Sequence, residues 1–189
     1  MRHHVRIRHI SDGDWDGIAA LEAAEYTDDG LSEGRDALQS RAHASPATCF
    51  VLDLDQRLAG YLLALPYPMF EYPDLRRTED IVFPSRNLHL HDLVIAEEFR
   101  GRGLAKLLLR HFTETAGSKG YDEISLIAVS GSDTFWSANG YRARRGVAPP
   151  ASYGADAVCM SRPVPGVRAG RTYPTPESPH GAPLKDEVG

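Results

Sequence analysis

The pattern of hydrophobic and polar residues divides most of the chain into predicted strands and helices. Strict alternation over residues 4–10 predicts a half-buried strand, and apolar residues at helical spacing after Ser11 predict a helix with one buried face. A weaker helix is expected over residues 32–44. Two apolar runs on either side of Asp55-Gln56-Arg57 then predict a hairpin.

The strongest pattern lies in residues 88–109. An apolar run from Leu88 to Ile95 is typical of a buried strand, and leucines at helical spacing predict a helix that begins near Gly101. Between them lies Arg100-Gly101-Arg102-Gly103-Leu104-Ala105. Glycines allow a ligand to approach the backbone closely, and a helix N-terminus presents unpaired N–H groups and a positive dipole end. The stretch is therefore suited to a phosphate or pyrophosphate.

The second half of the chain continues the alternation of strands and helices. We expect a strand, a short helix and two final strands at residues 123–129, 132–138, 141–146 and 154–162. The full order, β-α-α-β-β-β-α-β-α-β-β, indicates one mixed α/β domain over residues 1–162. From Pro163 onward the chain is rich in Pro, Gly and charge, which predicts a disordered tail over 163–189.

A long connection over residues 66–86 separates the hairpin from the central strand. It contains four prolines and several aromatic residues, and it is too long for a simple connection in a compact domain. We therefore interpret it as a lid or binding loop, with Tyr67, Phe70 and Tyr72 as candidate substrate contacts.

Composition and charge exclude several classes of protein. The net charge of -5 argues against general nucleic-acid binding, and no apolar run approaches the roughly 20 residues needed to cross a bilayer. Cys49 and Cys159 lie in strand-like runs without metal or disulfide spacing. We expect a cytoplasmic protein, monomeric or homodimeric, with no membrane or nucleic-acid partner.

Two motifs resemble those of the GNAT acetyltransferases. Arg100, Gly103 and Ala105 match that family's Arg/Gln-x-x-Gly-x-Gly/Ala loop, and Phe135-Trp136 with Gly140-Tyr141 is similar to its Phe-Tyr-x-x-x-Gly-Phe/Tyr element. The resemblance implies a central mixed sheet flanked by helices. It also implies that acetyl-CoA enters the gap where the central strands splay apart.

The resemblance also implies which residues hold acetyl-CoA. Backbone groups of Leu93, Val94 and Ile95 would bond the pantetheine arm, and Arg100 would add charge near the pyrophosphate. Arg102 would add further charge. The pyrophosphate itself would be held by backbone N–H groups of the loop and the start of the helix, namely those of Gly101, Arg102, Gly103, Leu104, Ala105 and Lys106.

The central strand suggests a narrower relative. His89-Leu-His91-Asp-Leu-Val-Ile resembles the corresponding strand of the arylalkylamine (serotonin) N-acetyltransferases. In that family the two histidines help to remove the proton of the substrate amine. The resemblance therefore implies transfer of an acetyl group directly to a primary amine of a small molecule, with an arylalkylamine among the candidates.

The chemistry of the two histidines is consistent with that role but leaves alternatives open. His89 and His91 stand two residues apart on a strand, hence on one face and about 6 to 7 Å apart. A primary ammonium must lose a proton before the amine can attack the thioester, and imidazole can accept that proton near neutral pH. A structural pair or a metal site would use the same spacing. Strand alternation places Asp92 on the opposite face, so that no third ligand is evident and we expect no metal.

Trp136 departs from the family pattern. It stands where the family has a tyrosine that protonates the leaving thiolate, and indole N–H can donate a hydrogen bond but not a proton. Ser132 is our candidate acid, with Ser130 and Tyr141 as substitutes. The missing tyrosine keeps open a non-catalytic acyl-CoA-binding or sensing module. A further alternative is an enzyme that uses another acyl-CoA or a peptide amine.

Overall fold

The computed structural model describes residues 4–166. It contains four helices, at Trp15–Tyr26 (α1), Arg35–Ala44 (α2), Leu104–Ser118 (α3) and Asp133–Ala138 (α4). Its strands are Val5–His9 (β1), Phe50–Leu54 (β2), Arg57–Pro66 (β3), Asn87–Ile95 (β4), Glu123–Ala128 (β5), Arg142–Ala143 (β6) and Val158–Pro163 (β7). Short 3₁₀ turns lie at Asp12–Asp14, Pro46–Thr48, Glu97–Phe99 and Ala151–Tyr153. The predicted order of helices and strands is thus confirmed over the described residues.

The strands form one sheet in the order β1-β2-β3-β4-β5-β7-β6. Its neighbours are antiparallel except β4 and β5, which run parallel and are connected through α3. Helix α3 buries Leu108 and Phe112 on one face of the sheet, whereas α1 and α2 bury Ile18 and Leu38 on the other. The mixed α/β fold predicted from the sequence is therefore correct.

The centre of the sheet is open along part of its length. Strands β4 and β5 pair only at Asn87–Glu123, Leu88–Ile124 and His89–Ser125. Beyond His89, β4 stays paired with β3 and β5 stays paired with β7, but the two strands no longer pair with each other. This divergence is the splay that the family resemblance implied.

A β-bulge in β4 changes which side chains share a face. Leu63 of β3 stands opposite Asp92 and Ala64 stands opposite Leu90, so that His91 has no partner in β3. A bulge places two consecutive residues on the same side of a sheet. The prediction that Asp92 faces away from His91 is therefore wrong: both lie on the face covered by α1 and α2.

Two predicted boundaries shift. Helix α3 begins at Leu104 rather than near Gly101, because Gly101 and Gly103 have φ values of 75° and 77°, which a right-handed helix cannot include. At the other end, Val164 is buried and its N–H donates to the Asp122 carbonyl. Packing therefore continues past the predicted domain boundary at residue 162, while the rest of the predicted tail, from residue 167, lies outside the described residues.

Within residues 4–166, none of the helices combines the length and the hydrophobicity that a membrane span requires.

Candidate active site

A cavity of about 300 Å³ occupies the gap between β4 and β5 and extends to the connection between α1 and α2. The predicted site residues that line it are His91, Leu93, Val94, Ile95, Arg100, Ala105, Ser132 and Trp136. Those that do not line it are Tyr67, Phe70, Tyr72, His89, Gly101, Arg102, Gly103, Leu104 and Lys106. The splay thus brings the central strand, the start of α3 and the segment before α4 to one cavity.

The exposed edge of β4 supplies backbone groups to the gap. The Ala96 N–H donates to the Ala59 carbonyl of β3 at 2.9 Å, so the peptide groups of Ala96 face β3. Peptide groups of alternate residues in a strand point to opposite edges. Those of Leu93 and Ile95 therefore face the gap, whereas those of Val94 face β3. The edge suits an extended, amide-containing arm such as pantetheine at two of the three predicted positions.

The glycine-rich loop is open where a phosphate would approach. Gly101 and Gly103 are exposed, and no atom lies within 4 Å of the place where a Cβ would stand on either residue. Leu104 is buried in the core and anchors the first turn of α3. The first N–H groups of a helix have no partner within it and carry the positive end of its dipole. The loop therefore fits the pyrophosphate of acetyl-CoA.

Arg100 connects this loop to two other elements. Its Nε donates to the Ile95 carbonyl at 3.2 Å, and its guanidinium pairs with the Glu25 carboxylate of α1. Arg102 is exposed and lies over the Phe99 ring, 5.5 Å from its centroid. That these two arginines bind the pyrophosphate stays a prediction, and in this structure the charge of Arg100 is shared with an acidic partner.

Five carboxylates line the part of the cavity next to α1, which we call the acceptor side; the loops near residues 25–34 and 66–86 were expected to form the pocket walls, but among these carboxylates only Asp92 was singled out from the sequence. They are Glu22, Glu25, Asp29, Glu33 and Asp92. The first four come from α1 and its connection to α2, about 60 residues before β4 in the chain. No short motif links residues so far apart, although the acidic end of α1 was visible. Carboxylates surrounding a cavity favour a cationic ligand.

The two histidines differ in their surroundings. The His91 side chain is 3% exposed, and its Nε2 lies 2.6 Å from Oε1 of Glu33. Its Nδ1 has no hydrogen-bond partner among the described residues, nor has either ring nitrogen of His89. Their ring centroids are 5.6 Å apart, close to the predicted separation. Burial lowers the pKa of both rings, and the Arg41 charge lowers each further, so both are neutral near pH 7.

Two carboxyl groups beside His91 have pKa values near neutrality. Burial raises the pKa of Glu33 to about 7, although the Arg41 charge, with Nη2 2.7 Å from Oε2, and the 2.8 Å hydrogen bond from Nε oppose this shift. Burial also raises the pKa of Asp92 to about 7, and the Glu33 charge adds to the effect. The Tyr61 hydroxyl, which donates to Asp92 at 2.8 Å, opposes it. The site therefore holds two carboxyl groups that can exchange a proton near pH 7.

The predicted acid region lies at the far wall of the cavity. Trp136 packs edge-to-face against Phe135 and Tyr141, with ring centroids 5.1 and 5.3 Å away. Ser132 lines the cavity, whereas Tyr141 does not. Ser130 also lines it and donates to an Asp29 carboxylate oxygen at 2.5 Å.

Two of the aromatic residues in the long connection lie beside His89 rather than in the cavity lining. Tyr67 and Tyr72 lie 6.2 and 5.6 Å from the His89 ring, measured between centroids. From the same connection, Leu75 lines the cavity. Three residues that no sequence motif singled out complete the apolar wall of the acceptor side, namely Tyr26, Leu31 and Tyr153.

Comparison with known proteins identifies the family. The model of the acetyltransferase (GNAT) family matches residues 15–141, and the chain belongs to this family. The predicted family and fold class are thereby confirmed. Acetyl-CoA as the acyl donor follows from the membership, and the cavity described above fits it.

Solved structures agree with this fold. Ard1 from Thermoplasma volcanium matches with 16% identity and a TM-score of 0.67, over 85% of this chain and 97% of that one. The loading GNATL domain of CurA from Lyngbya majuscula matches with 15% identity and a TM-score of 0.69, over 85% of this chain and 98% of that one. PaiA N-acetyltransferase from Thermoplasma acidophilum, in complex with coenzyme A, matches with 15% identity and a TM-score of 0.60, over 85% of this chain and 99% of that one. A search of curated proteins by sequence gave no significant match. At these identities the likeness establishes the fold alone.

Proposed function

We propose that the protein transfers the acetyl group of acetyl-CoA directly to the primary amine of a small cationic molecule, with arylalkylamines among the candidates. One observation carries the proposal. A neutral histidine, His91, has an unpartnered Nδ1 and lines a cavity that is surrounded by carboxylates. The resemblance of the strand around His89 and His91 to the arylalkylamine enzymes supports the same substrate class.

The acceptor side of the cavity matches a cation with an apolar body. Glu22 and Asp29 supply carboxylate oxygens, and Asp92, whose pKa burial raises to about 7, is partly ionised near neutral pH. Leu31 and Leu75 contribute apolar surface, and the rings of Tyr26 and Tyr153 complete the wall. An ammonium group would be drawn to the carboxylates while its hydrocarbon or aromatic part lies against this wall.

Catalysis by this chain consists mainly of removing one proton. A primary amine with a pKa near 10 is protonated at pH 7 and attacks only after it loses that proton. In the proposal His91 accepts the proton at Nδ1, and His89, 5.6 Å away between ring centroids, extends the path. Acetyl-CoA supplies an activated thioester, and Ser132 is the candidate donor to the departing thiolate. Trp136 also lines the cavity, but its indole N–H cannot act as an acid near neutral pH.

The test combines a substrate screen with a double replacement. Amines of aryl, polyamine, aminoglycoside and peptide classes are incubated with acetyl-CoA, and free thiol is followed. For an accepted amine, kcat/KM should rise with pH through an apparent pKa of about 6 to 8. Replacing His89 and His91 with Gln should lower it by about 10²-fold at pH 7. Higher pH should restore part of the loss, because more amine is then neutral.

The control is His43→Gln, which removes an exposed imidazole of α2 outside the cavity. It should keep both turnover and acetyl-CoA affinity. A folded double variant with wild-type turnover at pH 7 would refute the relay. Acetyl-CoA binding without turnover across the whole screen would favour the sensing alternative, and loss of activity to chelators would favour a metal.

A further inference from the structure

Three buried side chains, Arg41, Glu33 and His91, form a continuous chain of polar contacts. The Arg41 guanidinium of α2 donates from Nε to Oε2 of Glu33 at 2.8 Å, and its Nη2 lies 2.7 Å from the same oxygen. The other oxygen of Glu33 lies 2.6 Å from Nε2 of His91. The three side chains are 1%, 3% and 3% exposed, so solvent contributes little to their arrangement.

Contacts on each side hold Glu33 in place. Its backbone N–H donates to Glu22 at 2.5 Å, and the second oxygen of Glu22 accepts from the Ser32 hydroxyl at 2.7 Å. Arg41 in turn donates to the backbone carbonyl of Asp74 at 3.1 Å. The carboxylate is therefore fixed in direction as well as in position.

Burying charged side chains carries a cost in folding free energy, because they lose their hydration. Removing an ion pair from water carries a large desolvation cost for each ion, and well-packed apolar residues of similar volume often give a protein that is equally stable. The arrangement does have a chemical consequence for the ring. A carboxylate that is held by an arginine accepts a hydrogen bond, so the proton of the neutral imidazole stays on Nε2. The lone pair is then on Nδ1, the ring atom that has no partner.

We propose that Glu33, held by Arg41, is a positioning residue that fixes the orientation and tautomer of His91, so that Nδ1 is the atom that accepts the proton of the acceptor amine. This rests on the proposed role of His91 as the base. Glu33 itself acts through the ring and does not take part in the bond changes of the transfer. The arrangement follows the general pattern in which a hydrogen-bonded carboxylate orients a functional imidazole.

The proposal predicts a dependence on pH. When Glu33 becomes protonated, its hydroxyl donates to Nε2 and the proton of the imidazole moves to Nδ1, which can then no longer accept. Since burial raises the pKa of Glu33 to about 7, the competent tautomer should prevail at pH 8 and decline below pH 7. The groups that interact with this pair are Glu22, Arg41, Asp74, His89, Asp92 and Tyr153, and Glu79 lies 3.9 Å from the Arg41 guanidinium.

The decisive measurement is the tautomer of His91 in the wild-type protein. Carbon-13 and nitrogen-15 NMR of histidine-labelled protein distinguishes the Nε2–H form from the Nδ1–H form, and the His91 signal is assigned by its loss in His91→Gln. We expect the Nε2–H form at pH 8 and a change toward Nδ1–H with a midpoint near pH 7. The Nδ1–H form at pH 8 would overturn the proposal, and this result needs no variant of Glu33.

The second measurement is the kinetics of Glu33→Gln. Its kcat/KM for the amine should fall by about 10- to 100-fold at pH 8, with acetyl-CoA affinity unchanged, and Glu33→Asp should recover part of the loss. The matched control is Glu123→Gln, another buried Glu with an arginine partner, Arg144 at 2.5 Å, that does not line the cavity. The control should lose stability but not change the tautomer or the pH profile.

Failure of this proposal differs from failure of the proposed function. If His91→Gln loses turnover but a folded Glu33→Gln keeps the wild-type pH profile and rate, Glu33 does not position the base. If His91→Gln turns over like the wild type, His91 is not the base and the proposed function loses its support, whatever the tautomer.

Discussion

Replacing Gly103 with Val should separate the cost of backbone strain from the loss of a phosphate site. Gly103 is the residue before the first turn of α3, and its φ of 77° lies in the left-handed region. A non-glycine residue there costs about 1 to 2 kcal/mol, and a β-branched one lies at the upper end. No atom stands within 4 Å of the added Cβ, so a clash within the protein contributes nothing further at that atom.

The structure therefore sets two different expectations. A loss of about 1 to 2 kcal/mol lowers the melting temperature of a chain of this size by roughly 2 to 8 °C. In the predicted binding mode, the side chain enters the space through which the pyrophosphate would reach the N–H groups of α3. Acetyl-CoA affinity should consequently fall by about tenfold or more, equivalent to about 1.4 kcal/mol or more.

Gly146→Val is the matched control for this experiment. Gly146 has a φ of 82°, open space around its Cβ position, and no part in the cavity lining. Calorimetry should show the same affinity for acetyl-CoA as the wild type, together with a similar fall in melting temperature. If a folded Gly103→Val binds acetyl-CoA as tightly as Gly146→Val does, the loop is not the pyrophosphate site.

Two further predictions concern the partner of Arg100 and the end of the domain. Glu25→Gln should tighten acetyl-CoA binding severalfold by calorimetry, since it removes the acidic partner of Arg100, and unchanged affinity would show that this arginine does not contact the phosphates. Truncation after Arg162 should lower the melting temperature because it deletes the buried Val164, a side chain worth about 1.5 to 3 kcal/mol. Truncation after Gly166 should preserve both the melting temperature and acetyl-CoA binding; a loss in either would mean that the predicted tail contributes.

The parts of the site that lie in one continuous stretch were predictable from the sequence. The central strand, the glycine-rich loop and the start of α3 fall within residues 88–109, where short-range patterns determine structure. The bulge at His91 was not predictable, because it depends on pairing with Leu63 and Ala64 of another strand. For the same reason, the prediction that Asp92 lies on the opposite face of the strand from His91 was wrong.

The acidic wall shows a different limit of sequence reasoning. Glu33 and His91 are 58 residues apart in the chain and meet through the packing of α1 and α2 on the sheet. Arg41 reads in the sequence as an ordinary polar residue of a helix, yet it is fully buried. Aromatic content suggested that Tyr67 and Tyr72 contact a substrate, whereas the structure packs them around His89. The identity of the acceptor depends on these long-range contacts.

The short pairing of β4 with β5 has a consequence for the kind of ligand that can pair with the sheet. A strand edge with free peptide groups ordinarily invites another chain to add to the sheet. Here two such edges, from Leu90 on β4 and Leu126 on β5, lie inside one sheet and face each other across a narrow wedge. An unbranched arm that carries amides could hydrogen-bond to these peptide groups without placing side chains on both faces of the sheet. The unpaired peptide groups are thus offered to a slender ligand inside the sheet rather than to another chain at its outer edge.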